Sequence, residues 1–484
     1  MIEMKDIVTR FAPSPTGYIH IGNVRSAIYP YLLARKNKGR FLLRIEDTDR
    51  ERYVDGATEL IEDTLKWLGL EWDEGPLVGG ENGPYFQSER LAIYHEWAKR
   101  LLNEGRAYSD NTPSEKIDEY RKRCNAEKVP FLYRNFRPKE LDFEFHEGVP
   151  IRFLADPKDR SWTDAVMGEM HAGPEVQDDI ILIKKDGYPT YNFAHIVDDA
   201  LMNVTHVMRG VEYLSSVPNY LALYEAFHLD VPVLVSLPHI LAPTGNKKLG
   251  KRDGAKSATE YRDDGILAEA MLNYLACLGW NDGTEQEIYT RDELIERFSL
   301  DRIQSSGARY DETKLFWMNG QWIRRIFNED GAMALYDRTV GFWPEVAESY
   351  SEEYRLRVLS IVYDRLKTLS DLKTMTRYFF EDPEIDIDML KSNRFLEKLS
   401  EAELEDLTKQ AINKLSALEE WNEDSLQVAL NELLAETERK PAVLFSLIRI
   451  AVSFAPFSPA LNLTLDTLGR DVSLARLNAV ARSI

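Results

Sequence analysis

Apolar and polar positions along the first part of the chain predict strands and helices in turn. Residues 7–11 (Ile-Val-Thr-Arg-Phe) read as a short strand, a Pro/Gly-rich turn runs from Pro13 to Gly22, and 23–37 read as a helix. Residues 41–45 predict a second strand, and 54–68 put Leu60, Ile61, Leu65 and Leu68 on one helical face. Strand, helix, strand, helix indicates a parallel α/β unit. From about 108 to 190 the alternation lapses into short strands near 149–153 and 180–184. It resumes with a strand at 205–209, a helix near 214–227 and a strand at 233–236, which Pro232 suits as a strand start. A parallel sheet split by an insertion fits this order. From about 255 onward the pattern is mostly helical, with an apolar stripe over 353–375 (Leu356, Leu359, Val362, Leu366, Leu369) and similar spacing over 401–437 and 443–482.

Composition narrows the class without naming a function. A chain of 484 residues with 44% hydrophobic and 29% charged residues is an ordinary globular chain of several domains. Its two cysteines, Cys124 and Cys277, give no disulfide framework and cannot by themselves complete a four-sulfur zinc site, so a reducing cytoplasm is expected. The N-terminus lacks a basic region followed by an apolar run. The most apolar stretch, 442–457, is short and is broken by Arg449 and Pro456, so no membrane span is expected. The net charge of −21 argues against a uniformly phosphate-binding surface. It leaves room for local basic faces at Arg121-Lys122-Arg123, Arg134/Arg137/Lys139, Lys247-Lys248 with Lys251-Arg252, and Arg324-Arg325.

Two loops carry candidate chemistry. In the 11–23 segment, Pro13 and Pro15 stiffen the turn, Gly17 and Gly22 let backbone approach a ligand, and His20 precedes a helix N-terminus, where N–H groups favour anions. Taken alone, the same residues also read as a capped helix start after a glycine turn. In Thr244–Arg252, Lys247, Lys248, Lys251 and Arg252 flank Gly250 in a basic loop suited to closing on phosphates, although a solvated lysine run has the same composition.

The pair is more specific than either part. Pro-Ser-Pro-Thr-Gly-x-x-His-Ile-Gly after the first strand, with Lys248-Leu-Gly-Lys-Arg252 further on, resembles class I aminoacyl-tRNA synthetases. The wording of 9–17, 44–50, 85–90, 186–194, 197–199, 208–210 and 314–320 is similar to the bacterial-type glutamyl-tRNA synthetases, and 439–443, 449–452 and 468–469 resemble their helical anticodon-binding domain. The resemblance implies an α/β fold with a Rossmann-type parallel sheet split by an α+β insertion, then all-helical domains. The implied divisions are 1–107 and 191–245 for the catalytic halves, 108–190 for an acceptor-binding insertion, 246–325 for the basic loop and stem-contact domain, and 326–484 for the anticodon-binding domain. It also implies ATP with Mg2+, L-glutamate and tRNA(Glu) as ligands and a monomer, with glutamyl-adenylate as intermediate. His20, Lys248 and Lys251 match the catalytic positions, and Ser14, Gly17, His20, Gly22, Asn23, Lys248, Lys251 and Arg252 the ATP positions. Arg10, Ala12, Ser14, Glu46, Tyr191 and Arg209 match the glutamate positions. Glutamate carries two carboxylates and an ammonium, which calls for two cations and an anion. Arg209 is expected at the side-chain carboxylate, Arg10 at the α-carboxylate and Glu46 near the ammonium, although the sequence leaves the division between the arginines open. An ion pair of Arg209 with Asp198 or Asp199 is the competing structural reading.

The chain also departs from the family. Gly250 stands where serine is usual and Asp253 where histidine is common. Val211-Glu212-Tyr213 replaces a Glu-Glu-His type run, Ser216-Val217-Pro218 replaces Asn-Thr-Pro, and Asn23, read as a helix N-cap, ends the His-Ile-Gly motif. The thiolates that hold zinc in some relatives are missing from 108–111 and 133–136, so no zinc is expected. Two alternatives stand beside this reading: an enzyme that also charges tRNA(Gln), a choice that lies in the anticodon contacts, and a catalytically weak RNA-binding paralogue, which these departures motivate.

Overall fold

Val8, Thr9, Arg10 and Phe11 are all buried, as expected of a strand covered on both faces of a parallel sheet. This strand, β1 (Val8–Phe11), crosses over through helix α1 (Ile21–Lys36) to its parallel neighbour β2 (Arg40–Leu43). Helices α2 (Ala57–Trp67) and α3 (Leu91–Asn103) follow, then β3 (Ala107–Ser109), α4 (Ser114–Glu127), β4 (Ile151–Phe153), β5 (Arg160–Asp164), β6 (Gly168–Ala172) and β7 (Ile181–Ile183). The parallel pattern returns with α5 (Tyr191–Leu201), β8 (His206–Gly210), α6 (Val217–Ala226) and β9 (Val233–Leu237). Strands β8 and β9 run parallel, and Thr205, just before β8, hydrogen-bonds with both backbone groups of Val8, which sets β8 beside β1. A short parallel pair, β10 (Ile240–Leu241) and β11 (Ala308–Arg309), lies beyond. This computed structural model describes residues 6–17, 19–250, 253–254, 256–455 and 458–484.

The chain divides into two compact units, Met1–Tyr261 with Ala268–Glu312, and Arg262–Leu267 with Thr313–Ile484. In the first, β3, β4 and β7 form a small antiparallel sheet, and the β5–β6 hairpin joins the edge of β9. The small sheet shares one apolar core with α3, α5 and α6: Leu101, Ile151, Leu182, Phe193 and Leu223 are fully buried together. The second unit is helical, as the apolar spacing predicts. The stripe over 353–375 is not one helix, however. The helix Glu352–Val362 stops, and a new turn starts at Thr368, where the Asp371 carboxylate accepts the N–H groups of Lys367 and Thr368. Leu359, Val362, Leu366 and Leu369 are buried on both sides of the break, so the pattern recorded burial rather than continuity. Likewise 401–437 is two helices and 443–482 is three, each start marked by Ser400, Asn422, Pro441, Ala460 or Gly469. Among the described residues, no helix is long and apolar enough to cross a membrane.

The stretch matched to the zinc-binding thiolates is held by a polar knot. Asp110 Oδ2 accepts from Tyr133 Oη and from Arg152 Nε, both at 2.6 Å, and the Arg152 guanidinium lies 3.4 Å from the Tyr133 ring centroid. Buried Asp179 takes Arg137 through both of its oxygens, at 2.5 and 2.7 Å, and accepts the Tyr108 hydroxyl at 2.9 Å. Burial alone would raise the Asp110 pKa, but donors from Thr112, Tyr133 and Arg152 hold it below the usual range. Arg137, a candidate for a basic surface, is thereby committed to Asp179, although its side chain stays partly exposed. Asp179→Ala strands buried cationic and hydroxyl donors and should lower unfolding stability by about 3 kcal/mol or more in denaturant melts. A chelator should leave the wild-type melting temperature unchanged.

Candidate active site

The loops leaving β1, β2 and β8 at their carboxyl ends converge, as ligand-binding loops of open parallel sheets do. Arg44 N–H bonds to Phe11 O and Glu46 N–H to Pro13 O, so the Pro-Ser-Pro turn and the Glu-Asp-Thr-Asp segment run side by side. They wall a cavity of about 870 Å³ whose lining includes Arg10, Ala12, Ser14, His20, Gly22, Asn23, Glu46, Tyr191, Arg209 and Lys248. Gly17 turns the loop with a φ of +125° but does not line the cavity. Lys251 and Arg252 lie outside the described residues.

One end of the cavity rests on a buried charge network. Arg10 reaches Asp199 through Nε (3.0 Å) and Nη2 (3.3 Å), and its Nη1 donates to Met208 O at 3.1 Å. Arg44, with no exposed surface, donates to Asp199 at 2.8 Å and to Glu46 Oε1 at 3.1 Å, and lies 3.5 Å from Asp198. Arg90 completes the set on Asp198 at 2.8 Å. Three arginines thus balance three carboxylates, and Arg209 is a fourth cation. It forms no ion pair with Asp198 or Asp199 among the described residues, contrary to the competing reading of the sequence. Among the described residues its buried Nε has no hydrogen-bond partner, and its guanidinium carbon lies 5.1, 5.0 and 5.7 Å from the ring centroids of Tyr191, Tyr213 and Tyr220. Burial penalises its charge, but the surrounding oxygens of the tyrosines, Glu46 and Asp199 outweigh that and keep it protonated. His195, fully buried beside Tyr191 and Tyr220, is held neutral by burial and by Arg209. An excess guanidinium next to a buried carboxylate suits a ligand with a net negative charge and a cationic group.

The other end brings together the start of α1 and the basic loop. His20 is extended (φ −92°, ψ 162°), and its Nδ1 accepts the Gly22 N–H at 3.0 Å, so it is His20 that caps α1. Asn23, expected as the cap, sits one turn inside because the imidazole takes the capping position first. A Cβ on Gly22 would come within 2.7 Å of that ring, which makes glycine a requirement of the cap. With Nδ1 accepting, the neutral imidazole carries its proton on Nε2 as a donor. The backbone of His20 bridges to Ser257, which brings the two motif loops together. The basic loop is tied to β10 by Leu249 N–H to Ile240 O (2.8 Å) and Ala242 N–H to Lys247 O (3.0 Å). Arg309 Nη1 donates to the carbonyls of Ala242, Pro243 and Gly245.

Several departures acquire roles in this setting. Tyr213 packs on Arg209, Glu212 accepts Lys248 Nζ at 2.8 Å, and Asp253 pairs with Lys247. Among the described residues a Cβ on Gly250 would meet only Asp253, at an ordinary 3.6 Å, so none of them demands glycine there. Arg44, Asp199, Arg309 and His195 were not among the sequence candidates. The one signal for the first two was their place inside Arg-Ile-Glu-Asp and Val-Asp-Asp runs.

Residues 6–317 match the family model for the catalytic domain of class I tRNA synthetases (E and Q), and 334–481 match an anticodon binding domain. The glutamate--tRNA ligase of Clostridium botulinum is 41% identical, covering 98% of both chains, and that of Dehalococcoides mccartyi is 39% identical over 99% of this chain and 98% of the relative. The crystal structure of a glutamate tRNA ligase from Elizabethkingia meningosepticum, in complex with its amino acid, superposes with a TM-score of 0.87 at 31% identity, covering 99% of this chain and 100% of that one.

The Glu46 carboxyl titrates above the usual range because burial raises it more than Arg44, Arg209 and Arg10 lower it. An ammonium ligand needs the ionised form, so calorimetric affinity for L-glutamate should fall as pH drops from 7, before the ordinary glutamate range near about 4.3 is reached. Glu46→Gln should weaken binding about tenfold or more and flatten that dependence.

Proposed function

This chain belongs to the class I tRNA synthetases of the E and Q group and, within it, to the glutamate--tRNA ligases, and on that footing we propose how its residues divide the work. The enzyme activates L-glutamate with ATP and charges tRNA. The observation that carries the assignment is the excess cation, Arg209, unpaired and ringed by tyrosines beside Glu46 and the Arg10–Asp199 pair. Arg209 is assigned the side-chain carboxylate of glutamate, Arg10 the α-carboxylate through the N–H groups that Asp199 and Met208 leave over, and Glu46 the ammonium. Ser14, Ala12 and Tyr191 shape the same end. In activation an α-carboxylate oxygen attacks the α-phosphorus of ATP and pyrophosphate leaves. In transfer a ribose hydroxyl of the terminal adenosine of tRNA(Glu) attacks the carbonyl and AMP leaves. His20, Lys248 and Lys251 are assigned to the charge that develops on the phosphates, and Gly17, Gly22, Asn23 and Arg252 to the nucleotide around them. This is electrostatic and positional catalysis with no protein nucleophile. Mg2+ is assigned to the ATP phosphates, where it would neutralise charge.

In this account Lys248 leaves Glu212 when ATP binds. Lys248→Ala should therefore slow tRNA-dependent ATP–pyrophosphate exchange about 100-fold while leaving tRNA affinity nearly unchanged. No exchange by the wild-type enzyme with glutamate and tRNA(Glu) present would overturn the assignment. Gly250→Ser, which the packing accommodates, should retain exchange within about threefold of wild type.

A further inference from the structure

We infer that Arg44 is a positioning residue of the amino-acid site: it holds Glu46 in place and, through Asp199, couples Glu46 to Arg10. The inference rests on the assignment of Glu46 and Arg10 to glutamate, and it adds two residues, Arg44 and Asp199, that touch no ligand in that assignment. Arg44 is the fully buried centre of the network. One guanidinium serves Glu46 at 3.1 Å, Asp199 at 2.8 Å and Asp198 at 3.5 Å. Its partners differ in what else they hold. Asp198 keeps Arg90 and accepts from Gln87 and Tyr94, and Asp199 keeps Arg10. Glu46 has no other side-chain hydrogen bond or ion pair among the described residues. Removing Arg44 therefore strands one carboxylate above all, the one aimed at the substrate ammonium.

The coupling follows from sharing. Asp199 Oδ1 accepts from Arg10 Nε and Arg44 Nη1 together, so the two guanidinium groups are fixed against each other across one oxygen. Arg10 lies on β1, Arg44 follows β2 and Asp199 lies on α5, so the network ties together three elements that frame the site. The groups that act on Glu46 are Arg44, Arg209 and Arg10, and Tyr191 interacts with it from α5. Arg44 is the largest cationic influence on Glu46, and the same guanidinium also donates to Asp199.

The test compares Arg44→Met, Asp199→Asn and Glu46→Gln in tRNA-dependent ATP–pyrophosphate exchange, with KM for glutamate and ATP measured across pH. Arg44→Met should raise KM for glutamate about tenfold or more with KM for ATP within twofold, and should move the acid limb of kcat/KM for glutamate about one pH unit to higher pH. Asp199→Asn should also raise KM for glutamate but move that limb to lower pH, because it removes an anion near Glu46 and leaves Arg44 to it. General damage to the fold does not move a pH limb in opposite directions. Limbs that stay put, or move the same way in both variants, would overturn the inference. Should Arg44→Met fail to fold, the direction of the Asp199→Asn shift decides alone. Glu46→Gln separates the levels: an unchanged KM for glutamate there overturns the assignment of the site, whereas a raised KM with unmoved limbs in the other two overturns only the role of Arg44.

Discussion

The hydrogen bonds of Arg44 to Glu46 and Asp199 are the constraint on which the amino-acid end of the site depends. Burying six charges costs several kcal/mol per ion unless each finds good partners, so such a network is tolerable only when it closes. Here it closes in charge, three arginines against three carboxylates, among Arg10, Arg44, Arg90, Glu46, Asp198 and Asp199, each nearly without exposure, while Arg44 Nε and Arg90 Nη2 make no hydrogen bond among the described residues. Closure has two consequences. Strand β1, which carries Arg10, and the segment after β2, which carries Glu46, cannot move independently, and none of the network's carboxylates forms an ion pair with Arg209 among the described residues. A cation kept protonated and unpaired against aromatic rings is a standing electrostatic preference for an anionic ligand group, present before the ligand arrives.

The phosphate end is organised differently, by backbone and by exposed ion pairs that can exchange partners. His20 is fixed through its own cap on α1, whereas Lys248 and Glu212 are about half exposed, and pairs of that kind contribute little net stability. That difference suits the chemistry. In the proposed assignment the Arg209 end must discriminate between amino acids, which favours rigid buried partners, while the His20 and Lys248 end must admit and release a polyphosphate, which favours partners that are easily displaced.

Much of this was legible in the sequence. The parallel sheet, the interrupting stretch and the helical second part followed from hydrophobic spacing, and the two motif loops supplied part of the cavity lining. What the sequence hid was of two kinds. Where a burial pattern continues across a break between helices, as over 353–375, spacing alone marked no boundary, because Leu366 and Leu369 are buried like Leu359. Where a polar residue could serve either ligand or fold, spacing could not choose. Asp199 was weighed as a partner for Arg209 and is spent on Arg10 and Arg44, and His20 is both cap and cavity residue. Partner choice among buried charges is a property of three-dimensional proximity over about 150 to 190 residues of chain, and no local pattern encodes it.

The central claim is that the network's charge balance leaves Arg209 to select a second carboxylate. Aminoacylation of tRNA(Glu) with glutamate and with glutamine, compared by kcat/KM under saturating ATP, tests it most directly. An uncharged amide leaves a buried guanidinium poorly paired, so glutamate should be preferred by about 10⁴-fold. The preference should collapse in Arg209→Ala. Comparable kcat/KM for the two amino acids in the wild-type enzyme would contradict the account.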